Sequence, residues 1–284
     1  METIQVYVGA TEKELIPFKI LEYSIVKNTK SIVNVFPLYQ SNIKIPIAKD
    51  PKNQPFTAFS FQRFLIPEIQ KFSGKAIYLD SDMIVFQDIK KLWEIVFEGA
   101  ELLSLKQFKA TLAQHSVLLI DCEKLKWDIK EIIKQLDQNI FSYRELMQDL
   151  IIAKNKAYTI PEEWNSLENF EKEKTALLHF TKIHTQPWLS TKNPLSYLWF
   201  QLLFEAIDKN IVSLDLIKEH IKAGFIRPSL VWQIENRVED SQKIPSKIIQ
   251  KLDNKFVNPL IKKLSILTRA KLFLINNWEN ITLR

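Results

Sequence analysis

The segment KAIYLDSDMIVF, residues 75–86, decides the fold. Its two apolar runs predict strands, and Asp80 and Asp82 lie at the break between them. Other apolar runs alternate with helical stretches such as LIPFKILEYSIVKNT at residues 15–29, which predicts a largely parallel sheet with helices on both faces. Carboxylates at the carboxyl end of a buried parallel strand lie where open α/β sheets bind ligands. The sequence therefore predicts an α/β fold with a ligand site at this edge.

The two aspartates are one residue apart, so both carboxylates can be directed to one point. Burying two anions this close costs on the order of several kcal/mol unless a cation compensates them. The alternative interpretation is that Asp80 and Asp82 are solvated turn residues, since aspartate is common in turns. The apolar strands on both sides favour a divalent metal site.

Glycine and cysteine are scarce in this sequence. The 284 residues include four glycines, at positions 9, 74, 99 and 224, and their spacing fits neither G-x-G-x-x-G nor a P-loop. Rossmann-type dinucleotide binding and P-loop chemistry are therefore disfavoured. The single cysteine, Cys122, excludes an internal disulfide and a cysteine-based zinc or iron–sulfur site. Any phosphate group must be held in another way.

The positive charge is concentrated at the carboxyl end. The net charge is +6, yet residues 243–284 alone carry nine basic and two acidic side chains. These residues alternate with apolar ones at helical spacing, which is typical of a basic amphipathic helix. We therefore predict a main domain at residues 1–242 and a basic helical tail at 243–284. The tail either lies on an anionic membrane surface or packs its apolar stripe on the main domain.

The same charge pattern bears on partners and location. No nucleic-acid-binding motif accompanies the basic tail, so we expect no nucleic acid partner. No apolar run reaches the ~18 residues of a membrane span, and the first ten residues lack the pattern of a signal peptide. We therefore expect a cytoplasmic protein, peripheral on the inner face of the membrane if its tail binds lipid.

Several segments resemble those of glycosyltransferase family 8, and in the same order. They are FSFQRFLIPEI (59–69), AIYLDSDMIV (76–85), SVLLIDC (116–122) and LLHFTKIHTQPW (177–188). The resemblance spans roughly residues 4–200. Members of this family are retaining enzymes of the GT-A fold, so the resemblance implies an open, mostly parallel, Rossmann-like sheet flanked by helices.

The resemblance implies a metal site. Asp80 and Asp82 match the family's Asp-x-Asp, whose carboxylates hold Mn²⁺ or Mg²⁺ against the diphosphate of a nucleotide sugar. The family's third ligand is a histidine ahead of a Pro-Trp pair. His179 fits that position better than His184, although it stands one residue farther from Pro187 than the family pattern expects. A nitrogen ligand favours Mn²⁺ over Mg²⁺.

The resemblance also implies residues that bind the sugar donor. Arg63 is placed near the donor sugar and the diphosphate, with a helix-surface salt bridge as the alternative. Tyr7 lies at the nucleoside position, where uracil is the expected base, although an aromatic strand residue is often core. The other implied donor residues are Gly9, Ser81, Gln114, Lys182 and Gln186. Gln186 stands where the family has a lysine, and Lys182 is the candidate to supply that charge.

The catalytic and acceptor positions follow from the same resemblance. In YRELMQDL, Gln148 and Asp149 match the last two residues of a family Asp-Gln-Asp, whose glutamine lies near the reacting sugar, and Met147 replaces its first acid. The alternative is that they form the polar face of a helix. Because Gln148 is a poor nucleophile, attack on the face that the leaving group vacates is favoured over a covalent intermediate. Trp164 and Trp188 are the predicted acceptor residues, with core packing as the alternative.

The sequence as a whole predicts a metal-dependent retaining glycosyltransferase. Its substrates would be a nucleotide sugar, with UDP as the expected nucleotide, and a glycan or glycolipid acceptor. Two alternatives stay open: a metal-dependent hydrolase of nucleotide sugars, and a non-catalytic nucleotide-sugar-binding protein. The second alternative is suggested by Gln186 and Met147, which depart from the family pattern.

Overall fold

The computed structural model describes residues 2–55, 57, 59–105 and 115–259. The chain forms two compact units, the first ending at His179 and the second beginning at Phe180. Each unit is described by itself below. The predicted functional boundary after residue 242 stays a prediction.

A six-stranded sheet forms the centre of the first unit. Its strands are β1 (Ile4–Gly9), β2 (Val33–Pro37), β3 (Lys75–Asp80), β5 (Leu102–Leu105), β6 (Val117–Asp121) and β7 (Lys156–Ile160). Their order across the sheet is β2-β1-β3-β6-β5-β7. Strand β1 pairs in parallel with β2 and β3, β5 pairs in parallel with β7, and β6 is antiparallel to both of its neighbours. The predicted mostly parallel α/β sheet is confirmed.

The sheet is buried on both faces, which explains its continuous apolar strands. Successive side chains of β3 enter two different cores: Tyr78 packs in one cluster with Phe64, and Ile77 packs in the other with Val6. All four side chains are fully buried. Each such side chain contributes roughly 1.5–3 kcal/mol relative to an exposed one. A one-residue shift of β3 would therefore exchange the contents of the two cores.

A second, smaller sheet extends from the end of β3. It contains β4 (Met83–Val85), β8 (Ser166–Leu167) and β9 (Leu177–His179), in the order β4-β9-β8. Strand β9 runs antiparallel to β4, and its register pairs His179 with Met83. Since Met83 directly follows Asp82, this pairing brings the histidine beside the aspartates.

The helices of the first unit are short apart from the first. They are α1 (Leu15–Lys27), α2 (Ile66–Ile69), α3 (Lys90–Trp93), α4 (Ile129–Asp137) and α5 (Tyr143–Met147). The segment FSFQRFLIPEIQKF, residues 59–72, has the pattern of a helix that Pro67 shortens or kinks, and the structure has a 3₁₀ turn at Gln62–Leu65 followed by α2 in place of one continuous helix. Pro67 explains the difference because proline lacks an amide hydrogen and is tolerated only in the first turn of an α-helix.

The second unit is helical. Its helices are α6 (Ser196–Asp208), α7 (Leu214–Lys222), α8 (Ser229–Glu235) and α9 (Ser246–Asp253). Asp253, the last residue of α9, accepts hydrogen bonds from the backbone nitrogen and hydroxyl of Ser229, at 2.7 and 2.6 Å. The first part of the predicted basic tail is thus a helix joined to α8, and residues 260–284 lie outside the described residues.

A buried arginine organises the second unit. Arg227 is 1 % exposed, and its side chain donates to the carbonyl of Pro187 (3.2 Å) and the hydroxyl of Ser229 (2.6 Å). Burial lowers the pKa of Arg227 to about 10, so the side chain remains a cation at neutral pH. No helix in the described part of the chain has both the length and the apolar composition to cross a membrane.

The close packing of β1 on β3 generates a prediction about Gly9. A Cβ atom at this position would lie 2.4 Å from the Tyr78 hydroxyl oxygen and 3.2 Å from Cδ2 of Phe59. We expect Gly9→Ala to lower the free energy of unfolding by about 1–3 kcal/mol, because overpacking forces neighbouring atoms apart. Chemical denaturation measures this change.

The matched control repeats the substitution in a Tyr78→Phe background, which removes the oxygen nearest the new Cβ. The cost of Gly9→Ala should be smaller there, and the difference is the coupling energy between the two positions. An equal cost in both backgrounds would show that the Tyr78 hydroxyl is not what excludes a side chain at residue 9.

Candidate active site

Three side chains that can hold a metal ion converge at the edge of the central sheet. Asp80 ends β3, Asp82 precedes β4, and His179 ends β9. One ligand atom from each lies within 4.8 Å of those of the other two. The nearest pair is Nε2 of His179 and Oδ1 of Asp82, at 3.0 Å. The alternative ligand, His184, is not a member of this group.

The charges at this site interact strongly. Burial raises the pKa of Asp80, the nearby Asp82 carboxylate adds to the rise, and Arg63 opposes it. For His179, burial alone would lower the pKa, but the Asp82 and Asp80 carboxylates outweigh it and the net pKa is raised. The imidazole therefore holds a proton between itself and Asp82 more tightly than a free histidine does. A metal cation can replace that proton.

Asn165 fixes the orientation of His179. Its Oδ1 atom lies 3.0 Å from Nδ1 of the imidazole. Because an amide oxygen only accepts, Nδ1 carries a proton and Nε2 is directed to Asp82. Residues that orient a metal-binding histidine in this way are common around metal sites. The sequence analysis did not assign this role to Asn165, whose partner is fourteen positions away in the chain.

Asp80 is held by two neighbouring side chains. The Tyr78 hydroxyl donates a hydrogen bond of 2.6 Å to Oδ1 of Asp80. Arg63 lies over the Tyr78 ring at 4.7 Å from its centroid, and its Nη2 atom is 3.9 Å from the same carboxylate oxygen. Arg63 is only 7 % exposed, so it is not the helix-surface salt bridge considered as the alternative. Its guanidinium lies beside the candidate metal ligands.

The loop after β1 is fixed against the same region. The Gln62 side chain donates to the Ala10 carbonyl at 2.9 Å and accepts from the Ala10 amide at 3.2 Å. The Ser81 amide donates to the carbonyl of Gly9 at 3.2 Å. Gly9 and Ser81, two of the predicted donor-binding residues, thus lie next to each other at the ends of β1 and β3. Their roles in donor binding stay predictions.

Three predicted aromatic site residues lie in the core. Tyr7 is 4 % exposed and contacts Phe36 edge to face, and burial raises its pKa to about 12. Trp164 packs in a core cluster of the first unit, and Trp188 packs on Trp199 in the second. The structure corresponds to the core-packing alternative for all three, because each ring is enclosed by apolar neighbours. Roles in base stacking and acceptor binding have no support in this geometry.

Gln186 and Lys182 belong to the second unit. Gln186 is 2 % exposed, and its side-chain amide donates to the carbonyl of Phe180 at 2.9 Å. Its backbone amide donates to the Lys182 carbonyl at 3.1 Å, which closes a turn. Gln186 therefore has a structural contact where the family pattern places a lysine, whereas Lys182 is exposed.

The predicted catalytic segment follows α5. The Gln148 carbonyl accepts a hydrogen bond from Nε2 of His115 at 2.7 Å, and the backbone carbonyl of His115 accepts from Nη1 of Arg63 at 2.7 Å. His115 thereby connects the Gln148–Asp149 segment to the arginine beside Asp80. The sequence analysis missed His115, whose one visible signal is its position just before an apolar strand. Gln114, predicted to bind the donor, lies outside the described residues.

Comparisons with known proteins show similarity to glycosyltransferases. The model of the family described as "Glycosyl transferase family 8" matches residues 18–143. Protein CDI of Arabidopsis thaliana is 28 % identical over 94 residues, which is 32 % of this chain and 36 % of that protein. Glycosyltransferase GlyD of Streptococcus pneumoniae is 26 % identical over 178 residues, 53 % of this chain and 21 % of that protein. The chain thus matches about a third or less of the length of these relatives.

A solved structure shows the same fold. The bifunctional glycosyltransferase WbbM, in its apo form, superposes with a TM-score of 0.55 over 74 % of this chain and 51 % of that chain, at 13 % identity. The matched family segment contains the predicted Asp80 and Asp82 pair. Residues 18–143 of the chain thus match glycosyltransferase family 8, and the fold is of the GT-A type.

Proposed function

We propose that this protein is a metal-dependent retaining glycosyltransferase that moves a hexose from a nucleotide sugar, with UDP as its nucleotide, to a glycan or glycolipid acceptor. One observation supports this proposal most strongly. The carboxylates of Asp80 and Asp82 and the imidazole of His179 converge within 4.8 Å at the edge of the sheet. Open α/β sheets bind their ligands at such an edge.

The three side chains fit a divalent metal. They offer two oxygen atoms and one nitrogen atom, and the nitrogen favours Mn²⁺ over Mg²⁺, which prefers oxygen ligands. When bound there, the ion would neutralise the diphosphate of the donor and stabilise the negative charge that develops on the leaving nucleoside diphosphate. This chain has no glycine-rich loop to do so in another way.

Protein side chains prepare the site for such a donor. Arg63 is fixed by the Tyr78 ring and the His115 carbonyl, and it adds a permanent positive charge beside Asp80. The Tyr78 hydroxyl fixes one oxygen of Asp80, which leaves the other carboxylate oxygen for the metal. Binding groups that are held in place before the donor arrives lose little entropy when it binds.

Retention of configuration is explained most simply by attack on the face that the leaving group vacates. Gln148 is the residue at the reacting position of the family, and its carboxamide cannot serve as an effective nucleophile. Its Oε1 atom accepts a hydrogen bond from Arg144 at 3.1 Å, so the side chain has a defined orientation. The departing phosphate would take the proton of the acceptor hydroxyl.

One observation favours a second candidate, a non-catalytic nucleotide-sugar-binding protein. Gln186 is buried and donates to a backbone carbonyl, at a position where the family has a lysine. A protein without that charge could bind a donor and still fail to stabilise its departure. Turnover of the donor distinguishes the two candidates.

Removing one metal ligand tests the site directly. With saturating Mn²⁺ and UDP-glucose, ligand at 100 times its Kd should stabilise the folded protein by about 2.7 kcal/mol, seen as a rise in Tm. Asp82→Asn should abolish that rise, because it removes a charged ligand. Asp215→Asn, an exposed aspartate of α7, is the matched control and should keep the rise. Stabilisation of wild type that persists in EDTA would contradict the metal assignment.

The pKa directions predict how metal binding depends on pH. The pKa of His179 is raised above 6.5, so the proton that stabilises its pair with Asp82 is lost only as the pH rises through that higher value. Mn²⁺ must displace this proton, so its affinity should rise with pH from about 6 upward, by at most about tenfold per unit. The raised pKa of Asp80 acts in the same direction at lower pH.

Isothermal titration of Mn²⁺ in two buffers of different ionisation enthalpy measures both the affinity and the released proton. His179→Gln should bind more weakly and lose the pH dependence above pH 6. Wild-type affinity that is constant between pH 6 and 8 would show that His179 is not a ligand.

A further inference from the structure

His115 has both of its ring nitrogens engaged in the interior of the first unit. It is 4 % exposed, Nδ1 lies 2.9 Å from the Ser104 hydroxyl of β5, and Nε2 lies 2.7 Å from the carbonyl oxygen of Gln148. Because that oxygen only accepts, Nε2 must carry a proton. The neutral ring then accepts from Ser104 at Nδ1. Its orientation is thus defined by two partners on different elements.

The ring stays neutral under physiological conditions. Burial lowers the pKa of His115 to about 4, and the positive charges of Arg63 and Lys156 act in the same direction, which outweighs the opposing effects of the Gln148 hydrogen bond and Asp149. His115 therefore acts here through a fixed hydrogen bond and not as a proton carrier.

The backbone of residues 115 and 116 contacts Arg63 and Asp80. The His115 carbonyl accepts from Nη1 of Arg63 at 2.7 Å, and the next carbonyl, of Ser116, accepts from the amide of Asp80 at 3.2 Å. Residues 115–116 thus contact the arginine and the metal-binding strand, while the His115 ring contacts the segment after α5.

That segment needs support from its surroundings. Helix α5 has five residues, too few to be stable alone. Leu150, just after Asp149, has a φ of +44°, a left-handed conformation that is unfavourable for a residue with a Cβ. Lys156 donates to the carbonyls of Leu150 (3.1 Å) and Ala153 (2.8 Å), which fixes the far side of the segment. The His115 hydrogen bond fixes the near side.

We propose that His115 is a positioning residue that holds the Gln148–Asp149 segment in register with Arg63 and Asp80. The proposal rests on the proposed function, because it treats residues 148–149 as the part of the site near the reacting sugar. Its consequence is specific: loss of the Nε2 hydrogen bond should impair turnover while donor and metal binding remain intact.

Two substitutions separate the two ring contacts. His115→Gln places an amide nitrogen near the position of Nε2 and can still donate to the Gln148 carbonyl. His115→Asn places its amide near the position of Nδ1, so it can still contact Ser104 but is too short to reach Gln148. Both are neutral and polar, so they differ mainly in the contact that the proposal concerns.

The first readout is kinetic, with UDP-glucose and UDP-galactose as probes, Mn²⁺ present, and release of UDP measured. We expect His115→Asn to lower kcat by about tenfold or more with KM within about twofold of wild type. His115→Gln should retain kcat within about threefold.

The second readout is hydrogen exchange of a peptide covering residues 143–151, which should exchange faster in His115→Asn than in wild type and His115→Gln. Exchange in β1, residues 4–9, is the internal control.

The proposal is overturned if His115→Asn leaves the exchange of residues 143–151 unchanged, or if both variants lose the same kcat and the same Tm. That second result would show a general packing role. If wild type releases no UDP from either probe, the proposed activity toward those donors fails. The exchange comparison then still decides whether His115 holds the segment.

Discussion

The site depends on two carboxylates that are held close together where the central sheet ends. Asp80 and Asp82 are held near each other, and Arg63 compensates one of them only partly, at 3.9 Å. The imidazole of His179, at 3.0 Å, compensates the charge of the other carboxylate, Asp82. A divalent cation bound there would satisfy the same carboxylates better, because it would bring two positive charges in place of the one proton that competes for the ligand.

The topology of the fold brings the two aspartates and His179 together. Strand β3 passes directly into β4 through Ser81 and Asp82, so the two aspartates lie between two sheets. The pairing of β4 with β9 then determines which residue faces them. The buried Tyr78 orients one carboxylate, and Asn165 orients the imidazole. The geometry of the ligands is therefore a consequence of strand register more than of the local loop.

The pair Asp80 and Asp82 could be predicted from the sequence because it interrupts an apolar strand, whereas His179 was implied by the family resemblance. The roles of Asn165 and His115 could not be predicted, since each acts through a partner that strand pairing brings close and that no local spacing indicates. The aromatic residues were the hardest to assign from the sequence. The same residue types form core rings and rings that stack on sugars. Only the structure could show that the rings of Tyr7, Trp164 and Trp188 are buried.

The most direct test of the central claim is a crystal structure of the protein with Mn²⁺ and a UDP-sugar, using anomalous scattering to locate the metal. We expect one anomalous peak in coordination contact with Asp80, Asp82 and His179, with the donor diphosphate as a further ligand and Arg63 beside it. An anomalous peak elsewhere, or a bound diphosphate held by arginine and lysine with the two aspartates turned away, would contradict it.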